Sequence, residues 1–267
     1  MRIALIIEYD GTNYHGFQYQ KNALSVQEEI EKSIYKLEKR SIRIKGSGRT
    51  DAGVHSLGQV IVFDTNSEYS LDVFVNALNH YLPEDISVKK SYIVRNDFDP
   101  RKHARSRVYR YVIQRSKTRS PFLNNRVLRL SGDLDIEIMS EGASLFLGIH
   151  DFTRFTTPEA LRETTPIRNI LRSEITPDGE FINYVVESNA FLMHQVRRMI
   201  GSLVDLGRHI MSLDDLAGMI DGRNEIVSNS LPPYGLYLDK VYYDGMFDDD
   251  VARDYSKVSM VTSDKGI

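Results

Sequence analysis

Cysteine is absent from all 267 residues, which removes disulfides and thiolate metal sites and suits a reducing compartment. No long hydrophobic run occurs either. The opening stretch, Met1-Arg2-Ile3-Ala4-Leu5-Ile6-Ile7-Glu8, meets charge too soon for a signal sequence or a membrane span, so we expect a soluble, cytoplasmic protein with no membrane attachment. The seven histidines, at 15, 55, 80, 103, 150, 194 and 209, lack paired ligand spacing. We therefore expect no metal, and nothing asks for a cofactor. A phosphate loop is also missing: Lys45-Gly46-Ser47-Gly48-Arg49-Thr50 has no Gly-Lys-Ser/Thr ending. The net charge of -3 gives no overall positive excess, but a polyanion responds to a local patch rather than to the total.

Such a patch is present. Arg101, Lys102, Arg105, Arg107, Arg110, Arg115, Lys117 and Arg119 follow one another with no Asp or Glu among them. A charge run alone is ordinarily a solvated face. Here Tyr109 and Tyr111 interleave with it in a segment, Val108 to Gln114, that reads as a strand, so residues 107, 109 and 111 share one face. We read that face as RNA-facing rather than core, with Arg101, Lys102, Arg105, Arg107 and Arg110 tracking the RNA backbone. The acidic excess lies partly elsewhere, in Asp248-Asp249-Asp250 and Asp254.

The chemistry centres on Gly48-Arg49-Thr50-Asp51-Ala52-Gly53-Val54-His55, where Arg49 and Asp51 stand two residues apart in a glycine-bracketed turn. Alternation predicts a strand over 42–47 and another over 58–64, which leaves Asp51 on the connection with Gly48 and Gly53 relaxing the backbone on either side. His55 is expected to hydrogen-bond within its own loop. Further strands are predicted over 2–9, 87–95, 108–114, 170–176, 181–188 and 236–243. Helices are predicted over 25–39, 71–81, 136–147, 191–207 and 213–220. The order βαββαβ thus occurs twice, without shared sequence identity between the halves.

In the helix from Phe191, the residues Leu192, Met193, Val196, Met199, Ile200, Leu203 and Val204 form an apolar stripe. Arg197 falls at its edge, where an arginine is usually either paired or snorkelling to the surface.

The octapeptide resembles the signature of the tRNA pseudouridine synthase A family. The resemblance continues through Tyr9-Asp10-Gly11-Thr12-Asn13-Tyr14-His15-Gly16-Phe17-Gln18, Ser106-Arg107-Val108-Tyr109-Arg110-Tyr111, Asn189-Ala190-Phe191 with Val196-Arg197, and Pro232-Pro233-Tyr234-Gly235-Leu236-Tyr237. Phe17 stands where the family usually has Trp, and Ser56 where Ala is common.

The resemblance implies an α+β chain of two ferredoxin-like, RNP-like domains whose antiparallel sheets join around a cleft. We set them at 1–104, carrying the Asp51 loop, and 105–247, followed by a flexible polar tail at 248–267. It further implies isomerisation of uridine to pseudouridine on the 3′ side of the tRNA anticodon stem-loop, by a homodimer. Asp51 would be the catalytic carboxylate and Arg197 its ion-pair partner. Tyr109 would pack on the target uracil, with Tyr111 as its rival, and Arg49 would help displace the base. Asp51 could attack C1′ of the ribose or C6 of the base, or draw a proton from C2′; the residues alone leave these routes open. The alternatives are an RNA-binding module that has lost turnover, and a glycoside hydrolase, for which the Asp51 loop supplies no second carboxylate.

Overall fold

The computed structural model describes residues 1–245 and Phe247, and the expected tail at 248–267 lies outside the described residues. The elements alternate along the chain. The first half runs β1 (Arg2–Tyr9), α1 (Val26–Glu38), β2 (Lys45–Gly46), β3 (His55–Asp64), α2 (Leu71–Tyr81) and β4 (Ile86–Val94). The second runs β5 (Ala104–Arg115), β6 (Leu128–Leu130), α3 (Ile136–Leu145), β7 (Gly148–Asp151), α4 (Pro158–Glu163), β8 (Ile167–Asp178), β9 (Phe181–Ser188), α5 (Gln195–Gly207), α6 (Leu213–Ile220) and β10 (Leu236–Tyr243). Together they make a mixed α+β architecture: one ten-stranded, mostly antiparallel sheet and six α-helices among the described residues.

The sheet order is β4-β1-β3-β10-β5-β9-β8-β7, with β2 on β3 and β6 on β5. One edge of β3 is shared. Its start pairs in parallel with β10 through His55 and Ser56, while Ile61 and Val62 further along pair with β2. The strand carrying the end of the Asp51 loop is therefore stitched directly to a strand from the far end of the chain. Alternating burial along β1 sends Ile3, Leu5 and Ile7 toward α1 and α2, in a core completed by Ile61, Phe63 and Phe74. A second core gathers α3, α5 and α6 over Tyr111, Ile113, Tyr184 and Val186.

Most predicted elements appear within a few residues of their expected bounds. Ser25 caps α1 by accepting from the Glu28 amide, and Lys39 closes it in a left-handed turn. Three expectations need correction. The strand expected over 42–47 shrinks to Lys45–Gly46, because the Ile44 amide donates to the Glu31 carboxylate at 3.1 Å instead of to a neighbouring strand. Strand β3 begins at His55, so the connection bearing Asp51 is shorter than expected. Helix α5 begins at Gln195, since His194 takes a left-handed φ of 62° and interrupts the helical pattern. The short elements β6, β7 and α4 carry no periodicity long enough to be seen in sequence.

Candidate active site

Asp51 reaches into a cleft of about 850 Å³ lined from both halves of the chain. Its loop is fixed from beneath. The Thr50 hydroxyl hydrogen-bonds the buried Tyr9 hydroxyl at 2.9 Å, and the Thr50 carbonyl accepts from the Phe17 amide at 3.2 Å. The Val54 amide donates to the Asp51 carbonyl and the Gly53 amide to the Tyr14 carbonyl, each at 3.2 Å. Gly53 takes a φ of +76°, as a turn glycine does, whereas Gly48 is not left-handed and has open space around it. The steric requirement expected at Gly48 falls instead on Gly16, whose φ is +92° and whose missing Cβ would lie 2.5 Å from the Thr50 carbonyl oxygen.

Across the cleft, Arg197 comes from the first turn of α5. Its Nη1 donates to Asp51 Oδ2 at 3.0 Å while its Nε donates to the Leu231 carbonyl at 2.7 Å, and the arginine side chain is only 13% exposed. Sequence reasoning missed the second group on that oxygen, His194, whose Nε2 lies 3.5 Å from Asp51 Oδ2. His194 occupies the N-cap position of α5 without capping it, which frees the imidazole for the cleft. Burial pushes its pKa below the usual value; the Asp51 charge opposes that shift, and Arg197 and Arg198 reinforce it. Its only sequence signal was proximity to Arg197, which a search for paired zinc ligands does not detect. Asp51 Oδ1 accepts no hydrogen bond among the described residues, so the carboxylate is hydrogen-bonded at one oxygen and open at the other.

Tyr109 lines the same cleft, its ring edge-to-face with Phe191 at 5.1 Å. Burial drives its phenol far above its ordinary pKa, and the Asp51 charge adds to the shift. Tyr111 is fully buried and donates its hydroxyl to the Pro232 carbonyl at 2.7 Å, away from the cleft. It has no access to a substrate there. Arg49 is exposed on the cleft wall and forms no ion pair among the described residues, with Asp51 or otherwise. His55 does not bond within its loop. Its Nδ1 faces the Gly11 amide at 3.0 Å and Asp10 at 3.1 Å, and its Nε2 faces the carbonyls of Asn125 and Tyr234. It acts as a clamp between distant segments.

The basic run over residues 101–119 is only partly a solvent-facing surface, because Arg107 and Arg110 are half-buried. Arg107 is half-buried and spends its guanidinium on the carbonyls of Ser47, Arg101 and Asn189. Arg110, on the opposite face of β5, pairs with Asp239 at 3.2 Å, and Arg105 lies 3.7 Å from Asp244. Tyr109 and Tyr111 belong to the core cluster. Arg101, Lys102, Arg105, Arg115, Lys117 and Arg119 are exposed, and Arg101 borders the cleft. The cleft also holds two carboxylates that the Asp51 loop itself does not supply, Glu159 and Glu163 of α4.

The family model described as tRNA pseudouridine synthase matches residues 5–101 and 143–244, which include the Asp51 loop, Arg197 and Tyr109's partner Phe191. The chain belongs to this family. The tRNA pseudouridine synthase A of Acetivibrio thermocellus is 40% identical over 242 residues, covering 90% of this chain and 99% of the relative. The protein of the same name from Geotalea daltonii is equally similar, at 40% over the same coverage. That of Aliivibrio salmonicida is 38% identical over 91% of this chain and 93% of its own length. Among the described residues no helix is long and apolar enough to cross a membrane.

Proposed function

We propose that this chain isomerises uridine to pseudouridine in tRNA with Asp51 as its catalytic carboxylate. The observation that carries the reading is the Asp51 carboxylate, held at Oδ2 by Arg197 and open at Oδ1 inside a cleft large enough for an extruded nucleoside. The reaction cleaves the bond from N1 of uracil to C1′, turns the base and joins C5 to C1′; the C5 hydrogen leaves as a proton and N1 gains one, so the product is an isomer of the substrate. It is redox-neutral. Oδ1 is the oxygen available to the nucleoside as nucleophile or base, while Arg197 fixes the carboxylate's orientation.

Tyr109 and Phe191 form the apolar wall on which the uracil packs, which offsets part of the few kcal/mol needed to unstack it. The Tyr109 phenol is neutral at physiological pH, so its contribution at C5 is that of a hydroxyl rather than a phenolate. Arg49, exposed on the cleft wall and without an ion pair among the described residues, is placed to fill the gap left by the displaced base. Arg101, Lys102 and Arg105 supply the exposed positive charge for the RNA backbone; Arg107 and Arg110 serve the fold.

In this reading each half is a ferredoxin-like unit, 1–104 and 105–247. The strand orders β4-β1-β3-β2 and β10-β5-β9-β8 support that assignment, since both put the fourth strand beside the first and the third beside the second. The substrate is the anticodon stem-loop, the working unit a homodimer, and the compartment the cytoplasm. The test is pseudouridine content of unmodified tRNA transcripts incubated with wild type or Asp51→Asn and no added cofactor. Product from the wild type alone supports the reading; an active Asp51→Asn protein would refute the assignment of the site.

A further inference from the structure

Arg168, at the start of β8, borders the cleft yet is only 8% exposed. Its charge has no carboxylate partner within ion-pair distance among the described residues. Its Nη1 donates to the carbonyls of Thr165 at 2.7 Å and Ile167 at 2.6 Å, which fixes the plane of the guanidinium. The opposite edge is nearly without hydrogen-bond partners. Nη2 has one long hydrogen bond, 3.4 Å to the hydroxyl of exposed Thr164, and the buried Nε has no partner. The Nε and Nη2 donors form the edge with which arginine takes an oxyanion in two parallel hydrogen bonds. Elsewhere in this chain Arg2 shows the pattern, with Nε and Nη2 each 2.8 Å from the two oxygens of Asp64.

A buried cation without a counter-charge is costly, and burial alone depresses the Arg168 pKa. Two other arginines have an unpartnered buried Nε, but Arg110 pairs with Asp239, and Arg198 does not line the cleft. Thr164 lies directly after α4, a helix with no buried residue, so little packing opposes its displacement. The α4 carboxylates Glu159 and Glu163 line the cleft as well, and they would repel a polyanion unless α4 turns away.

We infer that the Nε and Nη2 edge of Arg168 is a binding site for a backbone phosphodiester of the RNA strand in the cleft. On entry the phosphate replaces the Thr164 hydroxyl and supplies the missing counter-charge. The inference rests on the reading of this cleft as the uridine-isomerising site.

The test pairs wild type and Arg168→Gln with tRNA transcripts carrying a single neutral methylphosphonate at successive linkages around the modified uridine. Wild-type pseudouridine formation is measured first, so that failure of the functional reading shows separately. One neutral linkage is expected to weaken wild-type binding by about tenfold and to cost Arg168→Gln nothing further. The slope of log affinity against log salt should also be smaller for Arg168→Gln by about 0.7–0.9, the value of one phosphate contact. Arg168→Lys, which retains charge but not the fork, should fall between the two and replaces Arg168→Gln if that variant does not fold. Identical methylphosphonate profiles in wild type and variant would overturn the inference. So would an unchanged salt slope accompanied by a lowered melting temperature, which is the signature of a purely structural arginine.

Discussion

Replacing Arg197 with Met leaves an aliphatic chain of similar reach in the first turn of α5 and removes two hydrogen bonds, to Asp51 Oδ2 at 3.0 Å and to the Leu231 carbonyl at 2.7 Å. Removing one partner of a buried ion pair costs about 3–5 kcal/mol. Asp51 is 28% exposed, so its stranded charge stays partly hydrated, and we expect a loss nearer 2 kcal/mol, or a melting temperature lower by about 4–8 °C. The larger effect falls on the reaction. Without Arg197 the carboxylate keeps only the imidazole of His194, 3.5 Å away, and a displacement of about 1 Å lowers the rate by about 10²-fold. The assay is single-turnover loss of tritium from C5 of uridine in tRNA, with thermal unfolding of wild type, Asp51→Asn, Arg197→Met and the double variant. The ion pair predicts that Arg197→Met costs the Asp51→Asn background at least about 1 kcal/mol less than it costs wild type. Single effects that add to within about 0.5 kcal/mol, together with a rate within a few-fold of wild type, would refute the coupling.

Gly16→Ala should lose about 1–3 kcal/mol and most activity, because the new Cβ meets the Thr50 carbonyl at a left-handed φ; Gly48→Ala, in open space, should be close to neutral, and thermal unfolding compares them. Arg49→Ala should change stability by no more than about 0.5 kcal/mol while turnover on structured tRNA falls tenfold or more, and equal turnover on stem and single-stranded uridine would argue against a role in displacing the base. Tyr109→Phe retains the ring against Phe191, so tRNA affinity should hold; if the hydroxyl handles the C5 proton, tritium release slows by about 10²-fold or more. His194 has a folded pKa below its unfolded value of about 6.5, so the unfolded chain binds more protons in the window between the two. Its contribution to stability is complete above about pH 6.5 and declines as pH falls through that window. Urea unfolding of His194→Asn should show a flatter dependence there than wild type.

What sequence could and could not reveal divides along physical lines. The Asp51 octapeptide was legible because its glycines and charges are adjacent in the chain. Arg197, far away in sequence, drew notice because helical periodicity put it at the edge of an apolar stripe, but only the family resemblance named Asp51 as the partner it meets. His194 was not, because its position depends on a left-handed residue at a helix start, which no periodicity encodes. Arg168 and α4 were hidden for a related reason: short segments placed by tertiary contacts leave no pattern of their own.

The basic run shows where periodicity stops. Alternation correctly grouped residues 107, 109 and 111 on one face of β5, but period two does not say which face is wet. Strand β5 is flanked by β10 and β9 and covered by core on the Tyr111 side, so its side chains are largely enclosed. Within it the half-buried arginines are held by carbonyls or a counter-charge. Arg107 is held by three carbonyls and Arg110 by Asp239, a residue from β10 that no local window around 101–119 contains. Strand pairing supplies that counter-charge, and the sheet supplies the positioning: Arg107 ties Ser47, just before the Asp51 loop, to Asn189, just after β9 and eight residues before Arg197. A side chain expected to touch phosphate instead spans the two walls whose separation sets the geometry of the reacting carboxylate. Its loss should therefore act through the Asp51 to Arg197 distance, lowering turnover more than tRNA affinity, the reverse of what a phosphate contact would show.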